Sequence, residues 1–378
     1  MWDRGRAYRF IALMGFVSLL SDFTYEGAKG ILGPYLAHLG AGAMAVSLIS
    51  GLSELAGYWV RLLSGFISDR LRAYWFFTLL GYALNLLAVP LLGFVKNWQT
   101  AGALVFIERF GKGLRTPPRD TLLSRATEVV GHGKGFGVHE FIDQIGAVLG
   151  PAAVGLMLLS GFSYKMTFLS LFVPAVLALI FLLVARNLYG ASFEEESAQS
   201  KPFNPQRNFY LYLIASCFVS LSFLQFPLIG FHLSEGMHLE GWSIALLFAL
   251  AMCVDALSAL LFGFLYDRIG FTSLSIGLLL GMCSSPLLFL FHQPLLAVVF
   301  WGVSLGVQES IMRSGVARLS SEASRGRAYG FFHFFFGLSA LLGGLFMGYL
   351  YELSPKALVL YSLAMHLTAL LLLARLKP

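Results

Sequence analysis

The chain has 378 residues, of which 57% are hydrophobic and only 12% charged, with a formal net charge of +6. An ordinary soluble domain carries about a quarter charged residues, so this composition excludes a water-soluble globular protein. The positive charge does not point to nucleic acid, because Arg and Lys fall on alternate loops rather than in one patch.

Taken in order, the apolar runs predict helices near 8–37, 43–68, 74–95, 98–117, 136–160 and 165–187. A second set follows near 208–234, 241–264, 272–292, 295–317, 327–350 and 356–374. Each approaches the roughly 20 mostly apolar residues that span a bilayer, which predicts an all-α integral membrane fold of twelve transmembrane helices. A closed β-barrel is not expected, since 83–95 and 357–373 are apolar on nearly all sides instead of alternating. The basic N-terminus and its apolar run continue into Asp22, Glu26 and Lys29 without a cleavage site, so the first helix is expected to be retained. Cys217, Cys253 and Cys283 lie inside apolar runs and read as small hydrophobes rather than a disulfide framework.

One set of loops and termini holds Arg4, Arg6, Arg9, Arg70, Arg72, Arg119, Arg125, Lys134, Arg186, Lys201, Arg207, Arg268, Arg318, Arg325, Arg375 and Lys377, while the opposite loops hold only Lys96, Lys165 and Lys356. This asymmetry predicts both termini on the cytoplasmic side of a bacterial inner membrane. The polar stretch 191–208, with Glu194, Glu195 and Glu196, reads as a linker. It divides the chain into an N-terminal six-helix bundle (1–190), a cytoplasmic linker (191–207) and a C-terminal six-helix bundle (208–378). Gly65, Asp69 and Arg70 recur at the same displacement of 198 residues as Gly263, Asp267 and Arg268, and Arg115 recurs likewise as Arg313. GKGFG at 133–137 is echoed by GRAYG at 326–330. Two related six-helix halves are an arrangement in which secondary transporters place substrate near the bilayer midplane.

Charges inside a membrane are costly and face a cavity or a partner. On the first span Asp22, Glu26 and Lys29 share a face, with Tyr25 in the same turn. Asp22 or Glu26 could alternately carry a proton and a polar solute, or Glu26 and Lys29 could merely neutralise each other. Glu54 and Arg61, two turns apart on the second span, could form a polar lock or line a pathway. Arg109, Lys112 and Arg115 descend the fourth span while Glu140 and Asp143 ascend the fifth, which places Glu140 at the depth of Lys112 or Arg115 and Asp143 nearer Arg109. They could form a charge network that breaks and reforms, or a static one. His139 suits a polar boundary better than a proton shuttle.

Pro117 and Pro118 are expected to end the fourth helix, and Pro151 to favour a bend in the fifth. In the second half Asp255, Gln308, Glu309 and Arg313 are the polar candidates, and Glu309 and Arg313 could satisfy each other. His333 stands out within the aromatic run 329–336, whose Phe residues suit lipid contact and packing. No His, Cys and carboxylate spacing suits a metal, and no nucleophile–base pair or phosphate loop suggests an enzyme, so no cofactor or metal is expected.

Three stretches resemble signatures of the major facilitator superfamily, and the resemblance covers essentially the whole chain. Gly65-Phe-Ile-Ser-Asp69-Arg70 is similar to the signature between the second and third helices, although Leu71-Arg72-Ala73-Tyr74 departs from its usual basic continuation. Glu108-Arg109-Phe-Gly-Lys112-Gly113 resembles the fourth-helix signature of exporters, whose arginine is linked to proton movement in relatives; Lys112 replaces a frequent glutamine. Gly146-Ala-Val-Leu-Gly150-Pro151-Ala-Ala-Val-Gly155 resembles the fifth-helix signature of drug/proton antiporters. The resemblance implies a monomer in membrane lipid, using protons as the coupling ion for a small-molecule substrate. It leads to an expectation of proton-coupled export by alternating access, with symport, uniport or a non-transporting receptor as the alternatives.

Overall fold

The computed structural model describes residues 3–190, 206–320 and 325–376, with the side chains of 132–134, 313, 317 and 325–327 outside the description. The helices are α1 (Arg4–His38), α2 (Ala43–Leu71), α3 (Tyr74–Leu91), α4 (Trp98–Val130), α5 (His132–Leu159), α6 (Tyr164–Ser170), α7 (Phe172–Tyr189), α8 (Arg207–Ser222), α9 (Phe226–Phe231), α10 (Gly241–Ile269), α11 (Phe271–Gly281), α12 (Ser284–Phe289), α13 (Pro294–Arg318), α14 (Arg325–Leu353) and α15 (Pro355–Leu373). No strand occurs among the described residues. Eleven of the described helical segments are long and apolar enough to cross a bilayer. The charged α4, which is not among them, is long enough to cross by its 33 residues, about 50 Å at 1.5 Å per residue against a hydrocarbon core of about 30 Å.

Three crossings expected as single helices are broken. α6 gives way to α7 at Leu171, α8 to α9 across 223–225, and α11 to α12 at 282–283. Pro174, Pro227 and Pro286 each lie in the first turn after the break, where the missing N–H costs nothing within the new helix. Side chains take the freed carbonyls: Trp301 Nε1 donates to Leu224 O at 2.8 Å and Ser362 Oγ to Ser222 O at 3.1 Å. Such internal satisfaction is what tolerates irregular backbone at membrane depth.

α4 corrects the expectation that prolines end it. It runs through Pro117 and Pro118 to Val130. Pro117 cannot donate to the carbonyl of Gly113, and Ser64 Oγ from α2 donates to that oxygen instead, at 3.2 Å. α5 likewise continues through Pro151.

The chain falls into two compact units. The first comprises Met1–Gly40, Ala56–Ala198 and Gly241–Leu246; the second comprises Ala41–Leu55, Gln199–Glu240 and Leu247–Pro378. The expected linker, 191–207, lies almost wholly outside the described residues. In the second unit Tyr212 of α8, Phe332 of α14 and Ile311 of α13 pack in one core, and Glu352 accepts the N–H of Met44 at 3.0 Å. In the first unit a core of Phe10, Met14, Tyr82, Leu122 and Leu182 joins α1, α3, α4 and α7.

Small residues set how closely the first unit's helices approach. A Cβ on Gly146 would meet the backbone of Leu19, and one on Gly150 the backbone of Phe23, so α5 lies directly on α1. Gly155 sits against Leu246 and Trp242, and Gly65 against Pro117. A Cβ on Gly81 would meet the backbone of Arg115, locking α3 against α4 in the same way. Gly263 has open space around it. We expect Gly150→Val to cost about 1–3 kcal/mol by overpacking against rigid backbone, read as a lower melting temperature in detergent. Gly137→Ala, where an added Cβ meets nothing within 4 Å, should be neutral or stabilising; equal behaviour of the two variants would refute the packing role.

Candidate functional site

Polar residues in the first unit converge from four helices. α1 contributes Ser18, Asp22, Tyr25, Glu26 and Lys29; α3 contributes Tyr82 and Asn85; α4 contributes Glu108, Arg109, Lys112, Arg115 and Arg119; α5 contributes His139 and Asp143. The spacing explains the α4 set: Arg109, Lys112 and Arg115 recur every three residues and so face one neighbour. That neighbour is Tyr25, 3% exposed. Lys112 Nζ donates to its hydroxyl at 2.8 Å and lies 4.0 Å from the ring centroid. The Arg109 and Arg115 guanidinium carbons stand 5.8 and 5.9 Å from the same centroid.

Carboxylates balance these cations. Glu26 pairs with Lys29 at 3.3 Å and with Lys112 at 3.9 Å. The Glu26–Lys29 pair expected from spacing is therefore present, but Lys112 shares it. Glu108 pairs with Arg109 at 3.4 Å and accepts from Asn85 Nδ2 at 2.7 Å. Asp22 is buried, with Lys112, Arg115, Glu26 and Tyr25 as its electrostatic neighbours.

Asp143 keeps company with Asp22, Glu140, Arg119 and Arg115, nearer the C-terminal end of α4 than the expected Arg109. The reason is the hairpin. α4 runs to Val130 and a single residue, Gly131 at φ 100°, turns the chain into α5, so residues equally far from Gly131, such as Arg119 and Asp143, come level. Glu140 is exposed, and its charge acts on Asp143.

A second polar group extends from this cluster. Arg119 bridges Asp120, at 2.8 Å, and Ser18 Oγ, at 3.3 Å. Ser18 also meets Tyr82 Oη at 3.3 Å and His139 Nε2 at 3.1 Å. His139 is buried and hydrogen-bonded here. Arg115 is 1% exposed, with its guanidinium 4.0 Å from the Tyr82 centroid. Ser18, Tyr82 and Asn85 were not among the residues the sequence singled out. Asn85 carried a signal, an amide within an otherwise apolar run; Ser18 and Tyr82 carried none, being ordinary in a packed helix.

The remaining candidates lie apart from this cluster or form other contacts. Arg61 lies over the Tyr58 ring at 5.4 Å, and Glu54 is half-buried one turn before Tyr58. Asp69 and Arg70 are exposed, and Asp69 is hydrogen-bonded by Tyr74, itself 5.6 Å from the Arg125 guanidinium. Asp267 and Arg268 are exposed at the matching end of α10, where Arg318 lies over Phe271 at 5.7 Å. In the second unit Asp255 is 2% exposed. Gln308 donates to Ser304 at 3.1 Å. Glu309 is exposed, and the side chain of its expected partner Arg313 lies outside the described residues. His333 stacks on Tyr329 at 6.2 Å between centroids. Among the described residues no group of three or more His, Cys, Asp or Glu could hold a metal ion.

Comparison with known proteins adds the family. The family model described as Major Facilitator Superfamily matches residues 11–344 and, again, 211–378. An uncharacterized protein of Mycobacterium tuberculosis is 38% identical over 379 residues, covering 97% of this chain and 92% of its own. An uncharacterized MFS-type transporter of Methanocaldococcus jannaschii is 30% identical over 363 residues, covering 93% and 90%. Among solved structures, a variant of the nucleoside transporter NupG superposes with a TM-score of 0.77 at 14% identity, covering 98% of this chain and 100% of that one. A variant of a POT peptide transporter in complex with sulfate gives 0.75 at 14% identity, covering 100% and 97%. At such identities the structures show a shared fold alone. The chain belongs to the major facilitator superfamily, as a multi-pass membrane transporter rather than an enzyme.

Proposed function

We propose that the chain moves a small solute across a bacterial inner membrane by proton-coupled antiport, exporting the solute as protons enter. The acid pair in the first unit carries this reading: Asp22 and Asp143 are electrostatic neighbours, and the charge of Arg115 acts on both. Two carboxyls in a low-dielectric interior repel when both are ionised, so the pair is suited to hold a proton that a solute's charged group can replace. The resemblance of the α5 stretch Gly146–Gly155 to an antiporter signature supports the direction. Alternating access then consists of rocking between the bundles 1–190 and 208–378, with both termini cytoplasmic and the chain acting as a monomer.

Asp22 and Asp143 carry the proton in this reading. Lys112, held by Tyr25 and Glu26, is the cation that their protonation state releases or retains. The glycines of α5 keep α1 and α5 together as one moving body.

A second reading, proton symport of an anion, is favoured by the three α4 cations around Tyr25. One experiment separates the two. Proteoliposomes are loaded with a small-molecule extract of bacterial cytosol, a pH gradient of either sign is imposed, and released solutes are followed by mass spectrometry. Antiport predicts at least one solute that leaves faster when the outside is acidic; symport predicts faster exit when the inside is acidic. No response to either gradient would rule out proton coupling.

Asp22→Asn and Asp143→Asn should each reduce gradient-driven efflux by about tenfold or more, the scale of a 1.4 kcal/mol loss, with gel-filtration behaviour unchanged. Undiminished efflux in either variant removes that residue from the coupling. Tyr25→Phe should lower stability by about 1–2 kcal/mol by removing the hydrogen bond to Lys112, seen as a lower melting temperature, while transport keeps its dependence on the gradient. An unaltered melting temperature would show that the bond contributes nothing.

A further inference from the structure

Two groups in the α1/α4/α5 site are complementary and each lacks a hydrogen-bond partner at a buried atom. Arg115 is 1% exposed, yet its Nε and Nη1 donate to nothing. Asp143 has a buried Oδ1 that accepts from nothing, although Arg115 is among its electrostatic neighbours. Native proteins keep few such groups, and each calls for a physical reason.

Helix sliding does not offer relief. Arg115 is held where its backbone meets Gly81 of α3, and α5 is seated on α1 through Gly146 and Gly150. A bound molecule can supply both missing partners at once, an acceptor for Arg115 and a donor for Asp143.

The sign of charge around these groups divides by helix. Arg109, Lys112 and Arg115 come from α4, and the acids whose charge acts on them, Asp22, Glu26 and Asp143, come from α1 and α5, while the charges of opposite sign on those helices, Lys29 of α1 and Glu108 and Asp120 of α4, are already paired with Glu26, Arg109 and Arg119. A purely anionic solute would answer Arg115 and repel Asp143; a purely cationic one would do the reverse. We infer that the site takes a zwitterion of the amino-acid class, its carboxylate at Arg115 and Lys112 and its ammonium group at Asp143 and Asp22. Tyr25, already bonded to Lys112, lies beside the bound solute. The inference rests on the antiport reading, since the ammonium group and the coupling proton compete for the same carboxyls.

The test uses the full chain purified in detergent and measures thermal stabilisation by the common amino acids, each offered in three forms. These are the free zwitterion, the N-acetyl derivative, which is an anion, and the carboxamide, which is a cation. At least one free amino acid should raise the melting temperature in a saturable way, while its two capped forms give less than a tenth of that shift at equal concentration. Because this comparison uses the unmodified protein, it does not depend on a variant folding. Arg115→Gln and Asp143→Asn should then each abolish the shift. Equal stabilisation by the N-acetyl form, equal stabilisation by the carboxamide, or none from any compound would each overturn the proposal. Gradient-driven efflux of some other solute from loaded liposomes, without stabilisation by any amino acid, would remove the zwitterion and leave proton coupling standing. Loss of all gradient response would remove proton coupling itself.

Discussion

Charge placed in hydrocarbon must be answered inside the protein, and this constraint organises the first unit. Water is absent from the bilayer core, so each of Glu26, Glu108, Arg109, Lys112 and Arg119 is met by a side chain of opposite charge or by an aromatic ring. The cluster can exist only because helix backbones come close enough for these short side-chain contacts. Gly146, Gly150 and Gly81 provide that closeness at positions where any Cβ would collide with backbone. Packing and electrostatics are thus one device: the glycines set the distances over which the charges are compensated.

The same constraint explains how proline enters membrane-depth helices. Ser64 answers the carbonyl orphaned by Pro117, and Trp301 answers Leu224 at the α8/α9 break. Where a partner for the carbonyl is at hand on a neighbouring helix, the helix continues or restarts within a few residues. α4 therefore reaches Val130 in place of ending at its prolines, and that added length sets the α4/α5 register which brings Asp143 level with Arg119.

The membrane class and the positions of the crossings were legible from hydropathy and length, because a bilayer imposes both on the sequence directly. The α1 and α4 charges were legible for a related reason: Asp22, Glu26, Arg109 and Lys112 are too costly in an apolar run to be incidental. What they touch was not legible. The span of α4 depended on Ser64, a residue of another helix, so proline alone predicted a stop that did not occur. The level of Asp143 depended on a turn of one residue at Gly131. Ser18 and Tyr82 acquire importance only through their contacts with Arg119, His139 and Arg115, and no local pattern announces such contacts.

If solute and proton compete for the carboxyls of α1 and α5, binding must release protons, and that release can be measured. Purified protein in lightly buffered detergent solution is mixed with a stabilising solute while a pH-indicator dye is followed. Competition predicts proton release from the wild type that saturates with solute, and none from Asp22→Asn or Asp143→Asn. Saturable solute binding with no proton released, or with protons taken up, would contradict it.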